Sequence, residues 1–165
     1  KKQFKYTTGH LYSKYNFSQR HGRFEIRAKT AFGKGFNSAF WMMSDSGWPP
    51  EIDVFEVLGK DPNILRTTNH FINSKGDRSQ VSHRTISTDL SSSFNDYAIE
   101  WSPNEILWYL NGKVVFRSSD GIPQEPMYML ISHAMDSDFS GFVDESTPLP
   151  AYFEIDYVRV YKRSE

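Results

Sequence analysis

Apolar and polar residues alternate along much of this 165-residue chain, and that alternation constrains the fold more than any other feature. In residues 23–29, Phe24, Ile26 and Ala28 share one side, while the positions between them carry charged side chains. A period of two is typical of a β-strand with one face in a core and the other in solvent. Because sustained helical periodicity is scarce, the chain is predicted to be all-β.

Short strand-like segments recur along the chain with turn residues between them. Asn111-Gly112 predicts a hairpin over residues 105–118, because a type I′ turn needs positive φ at both central positions. Clusters of Gly, Pro, Ser, Asn and Asp separate the other segments, as expected of turns. Many short strands with regular turns predict an antiparallel sandwich or barrel. The other predicted strands are residues 23–29, 38–43, 51–58, 65–72, 96–101, 127–134 and one long strand over 151–162, with Phe153, Ile155 and Tyr157 on one face.

Length and composition indicate one domain, residues 1–165, with a near-neutral charge. The chain has 19 Lys and Arg against 20 Asp and Glu, which provides no large field to attract nucleic acid or an anionic membrane. No apolar run approaches the ~20 residues of a membrane-spanning helix. The chain begins at Lys1 inside a strand-like pattern. We therefore expect a piece of a longer precursor, from which a signal peptide has been lost.

Three carboxylates interrupt the apolar segment of residues 48–56, WPPEIDVFE. In a regular strand Glu51 and Asp53 share one face, whereas Glu56 points to the other. One β-bulge inserts an extra residue and brings Glu56 to the face of the other two acids. The spacing therefore predicts a bulge, and bulges are frequent beside active sites, where they re-aim side chains.

The spacing of the acids fits glycosidase chemistry. With a bulge, the carboxyl groups of Glu51 and Glu56 lie roughly 5 to 7 Å apart, which includes the separation in retaining glycosidases and does not exclude inversion. Asp53 lies between them, so the three groups titrate together and one can stay protonated beside an ionised neighbour. We predict Glu51 as the nucleophile and Glu56 as the acid/base. A solvated strand face and a cation site are the alternatives, disfavoured by the apolar neighbours and the lack of further ligands.

The segment WPPEIDVFE resembles the signature of glycoside hydrolase family 16 in its bulged ExDxxE form, typical of laminarinases, agarases and κ-carrageenases. Residues 21–29, 38–43, 94–113 and 153–162 also resemble family segments, in the expected order. The resemblance implies a concanavalin-like antiparallel β-jelly-roll sandwich with a concave substrate cleft. It gives Glu51, Asp53 and Glu56 the roles of nucleophile, hydrogen-bonded helper and acid/base. It also implies that strands preceding residues 6–17 in the family are missing from this chain.

The resemblance further implies binding roles around the acids. Trp48, in a turn-like segment, is expected as a sugar-stacking platform, and His70, on the strand predicted to pair with the acidic one, as a substrate contact. His133 is a candidate of the same kind, and Asn37 belongs to the cleft wall, where the family commonly has Trp. Asp156 is either a salt-bridged strand residue or part of a structural Ca²⁺ site on the convex side, and no other cofactor is expected.

The leading hypothesis is a secreted, monomeric, endo-acting glycosidase that cuts a β-linked polysaccharide with retention. A β-1,3 or mixed-linkage β-1,3/1,4-glucan is the favoured substrate. A galactan of the agar or carrageenan type, or a bacterial exopolysaccharide, would use the same acids, as would a transglycosylase. The alternative of another class is a lectin-like binding module, which gains nothing from burying three carboxylates. Tryptophans 41, 101 and 108 lie in apolar segments, and core packing is expected for most of them.

Overall fold

Eleven β-strands form the regular structure of the computed structural model, which describes Gln3 and residues 5–162. All strand pairs are antiparallel, and they build a six-stranded sheet, in the order β1-β10-β3-β4-β5-β6, and a five-stranded sheet, in the order β11-β2-β7-β8-β9. The predicted all-β fold is therefore confirmed. In chain order the strands are β1 (His10–Tyr12), β2 (Gly22–Lys29), β3 (Phe36–Ser44), β4 (Gly47–Leu58), β5 (Ile64–Ile72), β6 (Arg78–Ile86), β7 (Asn95–Trp101), β8 (Ile106–Leu110), β9 (Lys113–Ser118), β10 (Met127–Met135) and β11 (Glu154–Tyr161).

The hydrophobic core lies between the two sheets. Along β2, buried and half-buried positions alternate through all eight residues, as the sequence pattern predicts. Phe55 of β4 stacks on Tyr97 of β7, with ring centroids 4.1 Å apart, and so joins the two sheets. Trp101 and Trp108 are 1% and 0% exposed, so their predicted location in the core is confirmed. Within the described residues, no helix has the length and apolar character needed to cross a bilayer.

The hairpin of β8 and β9 forms where the sequence predicts it. Asn111 and Gly112 both have positive φ, at 50° and 76°. The Asn111 side chain accepts a hydrogen bond from the backbone N–H of Asp96 and donates one to the Asn95 side chain. The turn residue thereby fixes the hairpin against the neighbouring strand β7.

Strands β1 and β6 have no counterpart in the sequence prediction. Every residue of β6 is exposed or half-buried, and its sequence, RSQVSHRTI, contains only Val81 and Ile86 as aliphatic residues. Because β6 is an edge strand, it contributes little to the core and lacks the apolar alternation by which the other strands are recognised.

The single alternating strand predicted for residues 151–162 is wrong in its bounds and in its phase. Strand β11 begins at Glu154, and its register against β2 shifts between Ile155 and Tyr157. Beyond this bulge, Val158 packs against the core, whereas the Tyr157 hydroxyl hydrogen-bonds to Glu25 on the outer side. One extra residue therefore moves Tyr157 away from the face assigned to it.

Candidate active site

A bulge in β4 places the three acids on one face of the six-stranded sheet. On β3, Trp41 pairs with Asp53 and Phe40 pairs with Phe55, so β4 has one extra residue between these pairs. The pairing with β5 is interrupted between Asp53 and Glu56 in the same way. The extra residue is absorbed on the inner side, because Val54 and Phe55 both belong to the core. The predicted bulge is present, and Glu51, Asp53 and Glu56 line one cleft of about 220 Å³.

The opposite sheet contacts the bulge directly. The indole N–H of Trp108, on β8, donates a hydrogen bond of 2.9 Å to the backbone carbonyl of Asp53. Trp108 is fully buried, so this bond is shielded from water. Buried backbone carbonyls need a partner, and a bulge disrupts the regular ladder that would supply one. The core tryptophan therefore stabilises the backbone on which the acids are mounted.

Each outer acid has its own hydrogen-bond donor. The indole N–H of Trp48 donates to Glu51 Oε2 at 2.8 Å, and the amide of Asn37 donates to Glu56 Oε1 at 2.9 Å. His70 pairs with Glu51 across the β4–β5 ladder, as predicted for its strand. Its Nε2 lies 3.4 Å from Asp53 Oδ2 and 3.7 Å from Glu51 Oε1. The imidazole is thus shared between two of the carboxyl groups.

Burial controls the protonation of Glu51 and Asp53. Desolvation raises the pKa of Glu51 from 4.5 to about 7, and the adjacent Asp53 charge adds to the rise. The positive field of His70 and the hydrogen bond from Trp48 oppose it. Burial likewise raises the pKa of Asp53, against the hydrogen bond with His70, while the charge of Glu56 raises it further.

The third acid and the histidine belong to the same electrostatic cluster. Burial raises the pKa of Glu56, the hydrogen bond from Asn37 lowers it, and the charge of Glu51 raises it. The hydrogen bond to Asp53 raises the pKa of His70, which favours the imidazolium form. The cluster therefore retains protons near neutral pH while holding a positive charge against its carboxylates.

We expect this cluster to make the protein less stable as pH rises. The folded-state pKa of Glu51 lies above its unfolded value, so between about pH 4.5 and 7 the folded chain binds more protons and stability falls. The raised pKa values of the other cluster groups act in the same direction. Glu51→Gln should melt at least about 3 °C above the wild type at pH 8, and the two should converge near pH 4.5. Thermal melts across this range test it, and a wild-type melting temperature that rises from pH 5 to 8 contradicts it.

The sequence-predicted substrate residues do not all lie in the cleft. Trp48 is 43% exposed and lies in β4, not in the turn predicted for it. Asn37 and His70 contact the acids, as described above. His133 was predicted for the cleft, but it lies on the opposite face of β10, where its ring stacks on Phe36 at 5.2 Å. The reason is strand alternation, since its neighbours Ser132 and Ala134 line the cleft.

Asp156 lies in an ion pair. Its Oδ2 is 3.2 Å from Arg27 Nε, at the bulge of β11. Arg27 also lies 3.5 Å from Asp96, so the permanently charged guanidinium occupies the space between these two carboxylates. Ca²⁺ needs six or more oxygen ligands, and a guanidinium at this position repels it. The described residues therefore do not fit a resident calcium ion at Asp156.

A second wall of the cleft was not predicted from the sequence. Trp41 is the exception among the three tryptophans of the apolar segments, because it lines the cleft together with Ser132. Ser132 Oγ accepts a hydrogen bond of 2.9 Å from Trp41 Nε1 and lies 2.9 Å from His10 Nδ1. The ring of His10 in turn lies 6.0 Å from that of Tyr12, which is 58% exposed. These residues continue the polar and aromatic surface from β4 to the edge at β1.

A two-sheet sandwich with three clustered carboxyl groups in an open cleft is an arrangement suited to cleaving a long glycan chain. The sequence profile described as Glycosyl hydrolases family 16 matches residues 2–159. The chain belongs to this family, as the resemblance of its motifs implied.

Individual relatives agree with this assignment. The chain is 34% identical over 160 residues to endo-1,3-1,4-beta-glycanase EglC of Rhizobium meliloti, a match that covers 96% of this chain and 34% of that protein. Its structure resembles the catalytic domain of an endo-1,3-beta-glucanase (laminarinase) from Thermotoga petrophila, with TM-score 0.83, 28% identity and coverage of 94% and 69%. It also resembles SCLam, a non-specific endo-beta-1,3(4)-glucanase, with TM-score 0.84, 31% identity and coverage of 94% and 63%. The chain thus spans about a third of the length of EglC.

Proposed function

We propose that this chain carries the catalytic site of a retaining, endo-acting glycosidase that hydrolyses β-1,3 or mixed-linkage β-1,3/1,4-glucan. The observation that carries the proposal is the bulged strand β4, which presents Glu51, Asp53 and Glu56 on one open face. Glu51 and Glu56, on the two sides of Asp53, are held by different donors, Trp48 and Asn37. Two carboxyl groups with separate partners can hold different protonation states, which double displacement requires.

In the first step, the ionised Glu51 carboxylate attacks the anomeric carbon, and the glycosidic bond breaks as Glu56 gives its proton to the leaving oxygen. The result is a glycosyl ester on Glu51 and an ionised Glu56. In the second step, Glu56 removes a proton from water, which attacks the same carbon and releases Glu51 as a carboxylate. Two inversions give net retention.

Asp53 and His70 prepare this chemistry without reacting. Burial raises the pKa of Glu51 to about 7, and the positive field of His70 opposes that rise and so favours the ionised nucleophile. Burial raises the pKa of Glu56 and so favours its protonated form. Asp53, hydrogen-bonded to His70, orients the imidazole towards Glu51. These residues belong to the chain itself, and the proposed mechanism needs no cofactor.

The bulged ExDxxE spacing and the glucanase relatives support the choice of polymer. The relatives described above are a 1,3-1,4-beta-glycanase, a laminarinase and a non-specific beta-1,3(4)-glucanase. We propose that the chain belongs to the laminarinase-like branch, and these relatives support that choice. An open cleft with exposed Trp48 suits internal cleavage of a long chain. We also propose that the protein acts outside the cytoplasm, where polymers of this kind are found. We propose that it does so as a monomer.

Hydrolysis of laminarin and mixed-linkage β-glucan tests this function. We expect new reducing ends, an early fall in viscosity, and a product whose β-anomer forms first in NMR spectra. Glu51→Gln should bind the polymer without cutting it. An α-anomer as first product would show inversion. Equal binding by both proteins with no cleavage of any β-glycan would establish a lectin-like module instead.

A further inference from the structure

Strand β6 forms one edge of the sheet that carries the acids. Across β5, Gln80 is in register with His70, which faces Glu51. On the inner side of β6, His83 stacks on Phe116 of the other sheet, with rings 5.0 Å apart. Alternation therefore turns Arg78, Gln80, Ser82 and Arg84 outward, on the same face as the acids.

This outer row of β6 contains two arginines, Arg78 at its start and Arg84 just before its last member, Ile86. The guanidinium of Arg78 lies 4.9 Å from the ring centre of Trp48, the residue that hydrogen-bonds Glu51. Neither Arg78 nor Arg84 forms an ion pair with a carboxylate in the described part of the chain, and β6 contains no acid. Arg66, by contrast, is paired with Asp61 at 3.0 Å. The chain has a net charge of only −1, so the positive charge at this edge is local.

Edge strands often carry charged residues that prevent pairing with other molecules. That reason explains the exposure of Arg78 and Arg84, but not the position of Arg78 over the ring of Trp48. A cation–π contact attracts the guanidinium to the ring face while its N–H donors remain available. A neutral glucan has no group that requires an unpaired cation. A carboxylate or sulfate accepts two parallel hydrogen bonds from arginine.

We propose that the cleft takes a β-glycan bearing anionic substituents, which Arg78 and Arg84 bind where the polymer crosses β6. This inference rests on the proposed function, because it adds a substrate class to the same site. Two strand spacings separate β6 from β4, so the anionic groups lie about 10 Å from the acidic strand. The six residue steps from Arg78 to Arg84 correspond to roughly 20 Å of strand. The two side chains therefore bind different substituents or alternative positions of the polymer.

Binding is measured in Glu51→Gln, which keeps the polymers intact. The probes are laminarin, carboxymethylated laminarin and sulfated laminarin at low and moderate salt. We expect a substituted polymer to bind about tenfold or more tightly than laminarin, and the advantage to shrink as salt screens the charges. Adding Arg78→Gln and Arg84→Gln together should remove the advantage, while Arg78→Lys should retain only part of it. Whichever substituted polymer binds more tightly identifies carboxylate or sulfate as the preferred group.

Arg159→Gln is the matched control, because Arg159 also lies over an aromatic ring, that of Tyr157 at 3.8 Å, but on β11 of the other sheet. It should leave the preference for substituted polymer unchanged. The proposal is overturned if substituted and neutral laminarin bind equally, or if the preference survives in the double arginine variant. Hydrolysis of neutral laminarin by the wild type is assayed separately. Cleavage without an anionic preference overturns this inference alone, whereas an anionic preference without cleavage of any polymer overturns the proposed function.

Discussion

Replacing Glu51 by Gln should lower kcat on β-glucan at least about 10³-fold, because the substituted side chain cannot form the glycosyl ester. Asp53 cannot take over the role. It is 4% exposed, and its carboxylate is engaged by His70. Gln has nearly the same shape as Glu, so the cleft should still bind the polymer. The measurement is the initial rate of reducing-end formation, with binding followed in parallel.

Two further variants sharpen this test. Glu51→Gly leaves room for a small external nucleophile, so azide should restore turnover of an activated aryl glycoside and give a glycosyl azide of inverted configuration. Glu154→Gln is the matched control, because Glu154 pairs with Lys29 on the opposite sheet. It should keep wild-type activity. Substantial hydrolysis by Glu51→Gln, or azide rescue of Glu56→Gly with the inverted product, would show that the nucleophile has been assigned to the wrong carboxylate.

Replacing Glu56 by Gln should produce a loss that depends on the leaving group. On polysaccharide, whose leaving oxygen needs a proton, we expect a fall of about 10²- to 10⁴-fold. With a dinitrophenyl glycoside, whose leaving group needs no proton, formation of the glycosyl ester should stay fast. Its hydrolysis should become slow, because no base removes the proton from water. A burst of dinitrophenol followed by slow turnover is the expected observation, and equal losses on both substrates would contradict the acid/base role.

Asn37 provides an independent check on the same residue. Its hydrogen bond to Glu56 lowers the pKa of that carboxyl, so Asn37→Ala should raise the pKa. If Glu56 is the acid, the alkaline limb of the pH profile on polysaccharide should then move to higher pH. A purely structural role for Asn37 would lower activity without moving that limb.

The sequence predicts the acidic site well because the spacing of its three acids requires a β-bulge. Glu51, Asp53 and Glu56 can share a face only if the strand contains an extra residue, and the structure has the bulge there. Asn111-Gly112 predicts its hairpin equally well, because few other dipeptides tolerate positive φ at both positions. In these two places the local backbone geometry determines the structure.

Where a strand has similar side chains on both faces, the sequence could not give its orientation. Segment 127–134 has apolar residues at consecutive positions, so nothing in it says whether His133 or Ser132 faces the cleft. The sequence also could not show that Trp41 faces the cleft, since an aromatic ring fits both a core and a sugar-binding wall. The edge strand β6 shows no apolar face at all. Its place beside the acids depends on pairing with β5, which is a property of the folded sheet.

The bond from Trp108 to the carbonyl of Asp53 has a consequence for protein engineering. The cleft depends on both sheets, because part of its support comes from the five-stranded sheet, which carries none of the three acids. A chimera that takes its six-stranded sheet from this chain and its other sheet from a relative must also supply an N–H donor at that depth in the core. Without that donor, the chimera would carry all three acids on a strand whose bulge lacks this hydrogen bond.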